Sequence, residues 1–515
     1  MTQKERMSLP IWKKIILSII TIIIFGLQIQ LFVFAFQINF SRELSTAIYL
    51  LIEGLAAALV LYIILQPMIT SYKLTWSILI LALPLPFSLL FYLNVQSRTL
   101  PQRKQKKIAS EILKRKTDNS LIKEVEKIKP TLAKHAKILQ QSNSFPVYKN
   151  TKYTYIDDGY KKHIDFIAEI KKAQRYIFIE TFILSDGVLL EELLPILVEK
   201  GNSGVEIKII YDDLGSKRYL KGKTIKYLAE IPNCEIVNYN PLGLNINPAF
   251  NYRDHRKIII IDGIVAYCGG DNLADEYIHQ KERFGFWRDN CGKFEGDAVK
   301  TFVELFIETW YISTKKILER SLYTNSNYQL LKEDSYVIPF GDGPTDSTNI
   351  GYDVFMSMIT NSSESLYIST PYLVIDDAMI DSIVLAAKSG IDVRILMPGI
   401  PDKKSAFYLA RFHYKKILKA GGKIYEFSKG FNHAKNIIVD NDCAFIGTIN
   451  MDYRSMFLHY ECGAVIMLDD EILKMKKDFL KACNESKQIT YDDWKKRPWW
   501  QKLFAYVFYL FAPMF

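Results

Sequence analysis

The sequence predicts an α/β protein in which two tandem, pseudo-symmetric α/β/α halves share one active site, preceded by N-terminal transmembrane helices. Three observations predict it: a duplicated His-Lys-Asp pattern, strands alternating with helices around each copy, and three long apolar runs confined to residues 1–95.

The pattern reads His255-x-Lys257 with Asp262, and again His433-x-Lys435 with Asp440. Each copy continues into a glycine turn and an asparagine, Gly269-Gly270-Asp271-Asn272 and Gly447-Thr448-Ile449-Asn450, with the same ten-residue step from aspartate to asparagine. One His-x-Lys arises readily by chance, but two copies in register through Gly and Asn point to internal duplication. The repeat extends upstream: residues 203–210 (SGVEIKII) align with 389–396 (SGIDVRIL), and both alternate like half-buried strands. A helical stretch precedes each, at 189–200 and 379–388, and an apolar strand precedes that, at 176–182 and 366–370.

The 515 residues are 49% hydrophobic, and the apolar content concentrates at the start. Runs at 15–36, 46–65 and 76–93 each approach the ~20 apolar residues that a bilayer-spanning helix needs. No small-residue cleavage site follows the first run, so it does not read as a cleaved leader. Lys and Arg flank the group on both sides (Lys4, Arg6, Lys13, Lys14; Arg98, Arg103, Lys104, Lys106, Lys107), so both flanks read as cytoplasmic. Three crossings would put the flanks on opposite sides, so either one run is re-entrant or interfacial or the charge rule fails at one end, and the residues leave open which run fails to span. Six scattered cysteines without a CxxC pair read as reduced thiols, favouring a cytoplasmic catalytic region in a multi-pass membrane protein.

The expected organisation is a membrane segment (1–95), a charged linker (96–140), a first half (141–323), a polar inter-half linker (324–349), a second half (350–488) and a basic aromatic tail (489–515). The tail, Trp494-Lys495-Lys496-Arg497-Pro498-Trp499-Trp500 followed by an apolar run too short to span, suits a headgroup layer; a helix packed on the core is the alternative. The net charge of +10 fits an anionic membrane surface or a nucleic acid. The apolar runs and the tail argue against a soluble nuclease.

Residues two apart on an extended strand share a face, so each half presents an imidazole beside an ammonium. Two histidines, two lysines and the asparagines Asn272 and Asn450, converging without an evident metal ligand set, suit a phosphate diester. One imidazole attacks phosphorus; the other protonates the leaving alkoxide and then deprotonates the incoming hydroxyl. Asp262 and Asp440 lead into turn sequences, so they are either direct participants or supports of hairpin ends. Each histidine needs an acid to set its tautomer, and Asp289 and Glu461 are the candidates, at similar offsets from His255 and His433. His163, His279 and His413 lack a duplicated partner and read as surface or packing residues.

HxKxxxxD followed by a Gly turn and Asn, present twice, resembles the phospholipase D superfamily. Asn251 to Lys257 (NYRDHRK), Phe284 to Asp289 (FGFWRD), Ser369 to Tyr372 (STPY), Asn432 to Lys435 (NHAK) and Asn450 to Ser455 (NMDYRS) resemble the bacterial cardiolipin synthases in particular, over nearly the whole chain. The resemblance implies two phospholipase D-like halves and transfer of a phosphatidyl group between two phosphatidylglycerol molecules. It implies a phosphatidyl-histidine intermediate, with His255 taken as nucleophile and His433 as acid and base. It implies no metal or organic cofactor, and a partner that is membrane phosphatidylglycerol instead of nucleic acid. Sister enzymes with serine, a polyol or water as acceptor share the same catalytic residues. Cys291 stands where a histidine is common, His459 where an asparagine usually precedes the acid, and one apolar run is extra. The two substitutions bear on acceptor preference.

Overall fold

The computed structural model describes residues 41–66, 68–92, 119–241, 251–324, 333–344, 346 and 348–514. They fall into two compact units, Met1–Ser97 and Arg98–Phe515.

In the first unit α1 (Arg42–Leu65) is capped by the hydroxyl of Ser41 and, over Glu43–Leu65, has a mean hydropathy of 2.4. Among the described residues it is the one helix long and apolar enough to cross a membrane. The third apolar run does not form such a helix. α2 (Thr70–Ala82) ends at Leu83, whose backbone leaves the helical region (φ −142°, ψ 86°), and helix resumes at 84–92. Leu83 precedes Pro84, and a residue before proline is pushed out of the α region. Thirteen residues rise only about 20 Å, short of a hydrocarbon core of about 30 Å. The first run, 15–36, lies outside the described residues.

The described part of the second unit begins with α3 (Ser120–Ile128) and α4 (Pro130–Asn143). The first half then runs β1 (Thr151–Ile156), α5 (Gly159–Lys172), β2 (Tyr176–Thr181), α6 (Val188–Asn202), β3 (Glu206–Asp212), α7 (Gly222–Glu230), β4 (Cys234–Tyr239), β5 (Ile258–Ile261), β6 (Val265–Gly269), β7 (Phe286–Arg288), β8 (Cys291–Gly296) and α8 (Val299–Thr314). The second half runs β9 (Tyr336–Asp342), α9 (Ile350–Thr360), β10 (Ser365–Ser369), β11 (Leu373–Val374), α10 (Asp377–Lys388), β12 (Asp392–Pro398), α11 (Lys404–Lys419), β13 (Lys423–Phe427), β14 (Gly430–Asn432), β15 (Asn436–Val439), β16 (Cys443–Gly447), β17 (Met451–Asp452), β18 (Glu461–Met467), α12 (Glu471–Asn484) and β19 (Ser486–Ile489).

The two sheets carry the duplication strand by strand. The first orders β1-β8-β6-β5-β2-β3-β4; the second orders β9-β18-β16-β15-β10-β12-β13 and adds β19 at the edge. In each, parallel central strands (β2–β3–β4, β10–β12–β13) join an antiparallel hairpin (β5–β6, β15–β16) that comes after the His-x-Lys segment. β2 and β10 are buried along their whole length, as expected for strands covered by helices on both faces. A single apolar core spans both halves and includes Ile258, Ala266 and Phe294 with Ala444, Phe445 and Ala464.

Three expected boundaries change. The inter-half linker 324–349 contains β9, a fully buried strand paired with β18 and the counterpart of β1. Gly341, Gly343 and Pro344 make the stretch read as a linker; Pro339 fits inside the strand because β9 is an edge whose outer side meets Tyr148 at Val337 instead of a full strand. The described part of the charged linker is α3 and α4, whose Val125, Leu132, Ala136 and Leu139 enter the common core while their charges face outward. The tail forms α13 (Tyr491–Lys496) and α14 (Trp499–Tyr509). α14 packs on α11 through Trp500 and Phe504 against Tyr408, and Tyr509 stacked on Phe412 at 4.3 Å, while Trp499, Leu503, Tyr506 and Val507 stay exposed. The tail is therefore docked on the second half, with one apolar face left to solvent.

Candidate active site

Both His-x-Lys segments lie in extended chain immediately before their hairpins, and each is clamped by the opposite half. The His255 amide donates to the Tyr460 carbonyl (2.8 Å), and the His433 amide donates to the Arg288 carbonyl (2.7 Å). β14 pairs in parallel with β7, and Asp254 bridges to Tyr460. The next residue on each clamping segment is an acid, so the backbone bond delivers a carboxylate to the ring. Glu461 takes the Nδ1 of His255 at 2.9 and 3.0 Å, and Asp289 takes the Nδ1 of His433 at 2.6 Å. The acid–imidazole pairs are crossed between the halves, so neither half contains a complete one.

Alternation then sorts the remaining side chains. Lys257 and Lys435 lie on the same face as their histidines and donate back to the His255 carbonyl (2.6 Å) and to the His433 carbonyl. Between them Arg256 points the other way, into α8, where it donates to the Leu305 carbonyl and Thr309 hydroxyl and pairs with Glu308 at 3.2 Å. The His-x-Lys segment is thus riveted to the helix behind it. The equivalent of Arg256 is the fully buried Ala434.

His255 and His433 keep only about a tenth of their side chains exposed. Burial, then the charges of Lys257 and Lys435, hold both imidazoles well below their ordinary pKa, so both are neutral near pH 7. Burial lowers Lys435 to about 7, and it lowers Lys257 too. Like charges crowded in a low-dielectric slot make a site short of an anion; a bound phosphodiester would relieve the repulsion and raise all four pKa values.

Asp262 and Asp440 do not reach the imidazoles. Asp262 accepts from the amides of Gln174, Arg175 and Tyr176 (2.8–2.9 Å), and Asp440 from those of Ser363, Glu364 and Ser365 (2.8–3.2 Å). Both adopt left-handed backbone (φ 56° and 55°) at the tips of the β5–β6 and β15–β16 hairpins. They tie the hairpin to the start of β2 or β10, and their place is structural. The asparagines diverge as well. Asn272 is saturated internally, accepting from the Ile183 amide (2.9 Å) and donating to the Tyr277 hydroxyl (2.6 Å), whereas the buried Asn450 Oδ1 has no hydrogen-bond partner.

Several supporting residues had no clear signal in the sequence. Asp212, fully buried, accepts from the Asp254 amide (3.1 Å) and meets Arg253 at 3.4 Å, steadying the approach to His255. Asn432 accepts from Arg288 (2.9 Å) beside His433. The Thr448 hydroxyl donates to Glu461, while its counterpart Gly270 is bare because a Cβ there would stand 2.2 Å from Asp289 Oδ1. The duplicated Gly-turn alignment held that last contrast, Gly270 against Thr448. Exposed Lys403, the residue before α11, lies over the Tyr372 ring and its charge acts on both imidazoles.

The chain matches the family described as "Cardiolipin synthase, PLD-like domain" over residues 166–310 and 355–483, one segment in each half. It is 32% identical to a cardiolipin synthase of a Geobacillus species over 93% of this chain and 95% of that protein. The chain belongs to the cardiolipin synthase family. It is also 36% identical to an uncharacterized protein of Streptococcus mutans, over 88% of this chain and 99% of that one. Among solved structures, a phosphatidylserine synthase of Haemophilus influenzae superposes with a TM-score of 0.57, covering 74% of this chain and all of that one at 16% identity, a likeness of fold. The matched segments of the cardiolipin synthase family bracket both histidines. This chain is a phosphatidyltransferase of the phospholipase D-like type.

Proposed function

We propose that the protein condenses two phosphatidylglycerol molecules into cardiolipin and glycerol through a phosphatidyl-histidine. The crossed acid–imidazole pairs carry this reading: two neutral imidazoles, each with Nδ1 engaged by a carboxylate and Nε2 left for the substrate, lie under the charges of the same two lysines.

In the first step Nε2 of His255 bonds to the phosphorus of one phosphatidylglycerol as the bond to its headgroup glycerol breaks, and His433 gives that glycerol oxygen a proton. In the second, the terminal hydroxyl of another phosphatidylglycerol attacks the phosphorus, His433 takes its proton, and the P–N bond breaks to restore His255. His433 must be protonated for the first step although burial disfavours it; the substrate's own negative charge offsets Lys257 and Lys435 and restores that proton. The two ammonium groups then stabilise the pentacoordinate phosphorus, and Asn450 supplies a further polar side chain.

α1 and the exposed face of α14, with Lys495, Lys496, Arg497 and Lys502 beside it, support work at an anionic membrane surface. Six buried cysteines free of disulfides favour a cytoplasmic location for the catalytic unit, in a multi-pass protein.

The test is to incubate the full chain in detergent micelles with phosphatidylglycerol and EDTA and to follow cardiolipin and glycerol. Equimolar appearance of both is expected. Phosphatidic acid without cardiolipin, or no turnover of phosphatidylglycerol, would overturn the reading.

A further inference from the structure

Beside the His255–Glu461 pair stands a third imidazole that the proposed reaction does not use. His459 sits two residues before Glu461, with its Nδ1 3.7 Å from Glu461 Oε1 and its ring 5.6 Å from that of His255. About nine-tenths of its side chain is buried, yet neither ring nitrogen has a hydrogen-bond partner. Its backbone is tied down, the amide donating to the Arg454 carbonyl at 2.9 Å. A buried imidazole without a partner at either nitrogen is an unmet polar demand at the edge of a reactive site.

One ligand atom from each of His255, His459 and Glu461 lies within 4.8 Å of the others. We propose that these three side chains form an inhibitory binding site for zinc. Two imidazoles and a carboxylate are the borderline ligands that zinc prefers, and three protein ligands leave a fourth tetrahedral position for water or a substrate phosphate oxygen. The spacing fits: ligand atoms about 2.1 Å from a tetrahedral zinc stand about 3.4 Å apart. The His459–Glu461 separation of 3.7 Å is close to that, and the His255–Glu461 contact of 2.9 Å needs to open by only a few tenths of an ångström.

Binding exchanges one cation for another: zinc takes the Glu461 oxygen and the His255 nitrogen, and the proton between them leaves to water. The consequence is loss of turnover, because the nucleophile and the acid that orients it become metal ligands. The His433–Asp289 pair has no equivalent third ligand among the described residues, so the effect is confined to the His255 side.

The test measures zinc retention without turnover, so failure of this site and failure of the proposed reaction are told apart. The full chain in detergent is dialysed against buffered micromolar ZnCl2 and its zinc content measured, together with the thermal unfolding midpoint. Wild type should retain one ion per chain; His459→Asn and His459→Gln should bind at least ~10-fold more weakly, the scale on which loss of one supporting group is felt at a metal site. Cardiolipin formation by wild type should fall in step with occupancy and return with EDTA, while in the His459 variants inhibition should need at least ~10-fold more zinc. Absence of retained zinc in wild type, or equal retention in a folded His459 variant, would overturn the site.

Discussion

Glu461 of the second half holds the imidazole of His255 of the first, with both carboxylate oxygens within 3.0 Å of Nδ1. Asp289 returns the arrangement to His433 at 2.6 Å. Glu461→Gln and Asp289→Asn should each therefore lower kcat with little change in KM, because an amide lets the wrong tautomer form; the corresponding change in a serine protease costs roughly 10⁴-fold. Adding Glu461→Gln to His255→Ala should cost nothing further, since the two act as one unit. Additive losses in that double variant would refute the pairing.

Each histidine serves in one of two coupled steps, so His255→Ala and His433→Ala should both lower cardiolipin synthesis to a small residual rate. The order is read by acid quenching with labelled phosphatidylglycerol and peptide mass mapping. The adduct is expected on the peptide carrying His255; finding it on His433 would reverse the roles.

Asp262 is expected to matter for folding instead of chemistry. Asp262→Ala leaves three amides near the start of β2 without their acceptor, at about 1–3 kcal/mol for each unsatisfied group that stays buried. Urea unfolding should show the loss while kcat of the folded fraction changes little. Asp262→Asn, which keeps an acceptor oxygen and tolerates φ 56°, should lose less.

Lys435 titrates at about 7 against an ordinary 10.5, because burial disfavours its charge. Activity that needs its ammonium should fall as pH rises through about 7, and kcat/KM should show this limb before kcat does, since bound phosphodiester raises the pKa. For stability the sign is opposite. The unfolded chain binds this proton up to pH 10.5 and the folded chain only up to about 7, so this residue's contribution to stability increases with pH between them. Lys435→Arg keeps its charge at every such pH, so whatever activity remains should lack the alkaline limb.

Much of the fold was legible because duplication wrote it twice. The shared spacing of His255, Lys257, Asn272 and His433, Lys435, Asn450 announced two halves, and strand and helix periodicity around each copy placed β2, β3, β10 and β12. β9 was missed because Gly341, Gly343 and Pro344 are turn residues in a local reading, and only the pairing with β18 shows that Gly341 belongs to a strand. The docking of α3 and α4 was hidden because abundant surface charge outweighs a narrow apolar stripe in composition.

By itself the sequence determined the repeat, the histidines and lysines that share the site and the pair of acids, since these are carried by identity and spacing along the chain. Only the tertiary structure decided that the acids serve across the interface, that Asp262 and Asp440 belong to turns, and that His459 stands unpartnered beside Glu461. The physical reason is that a hydrogen bond acts over about 3 Å in space, and residues 206 positions apart reach that distance only once the two sheets share a core.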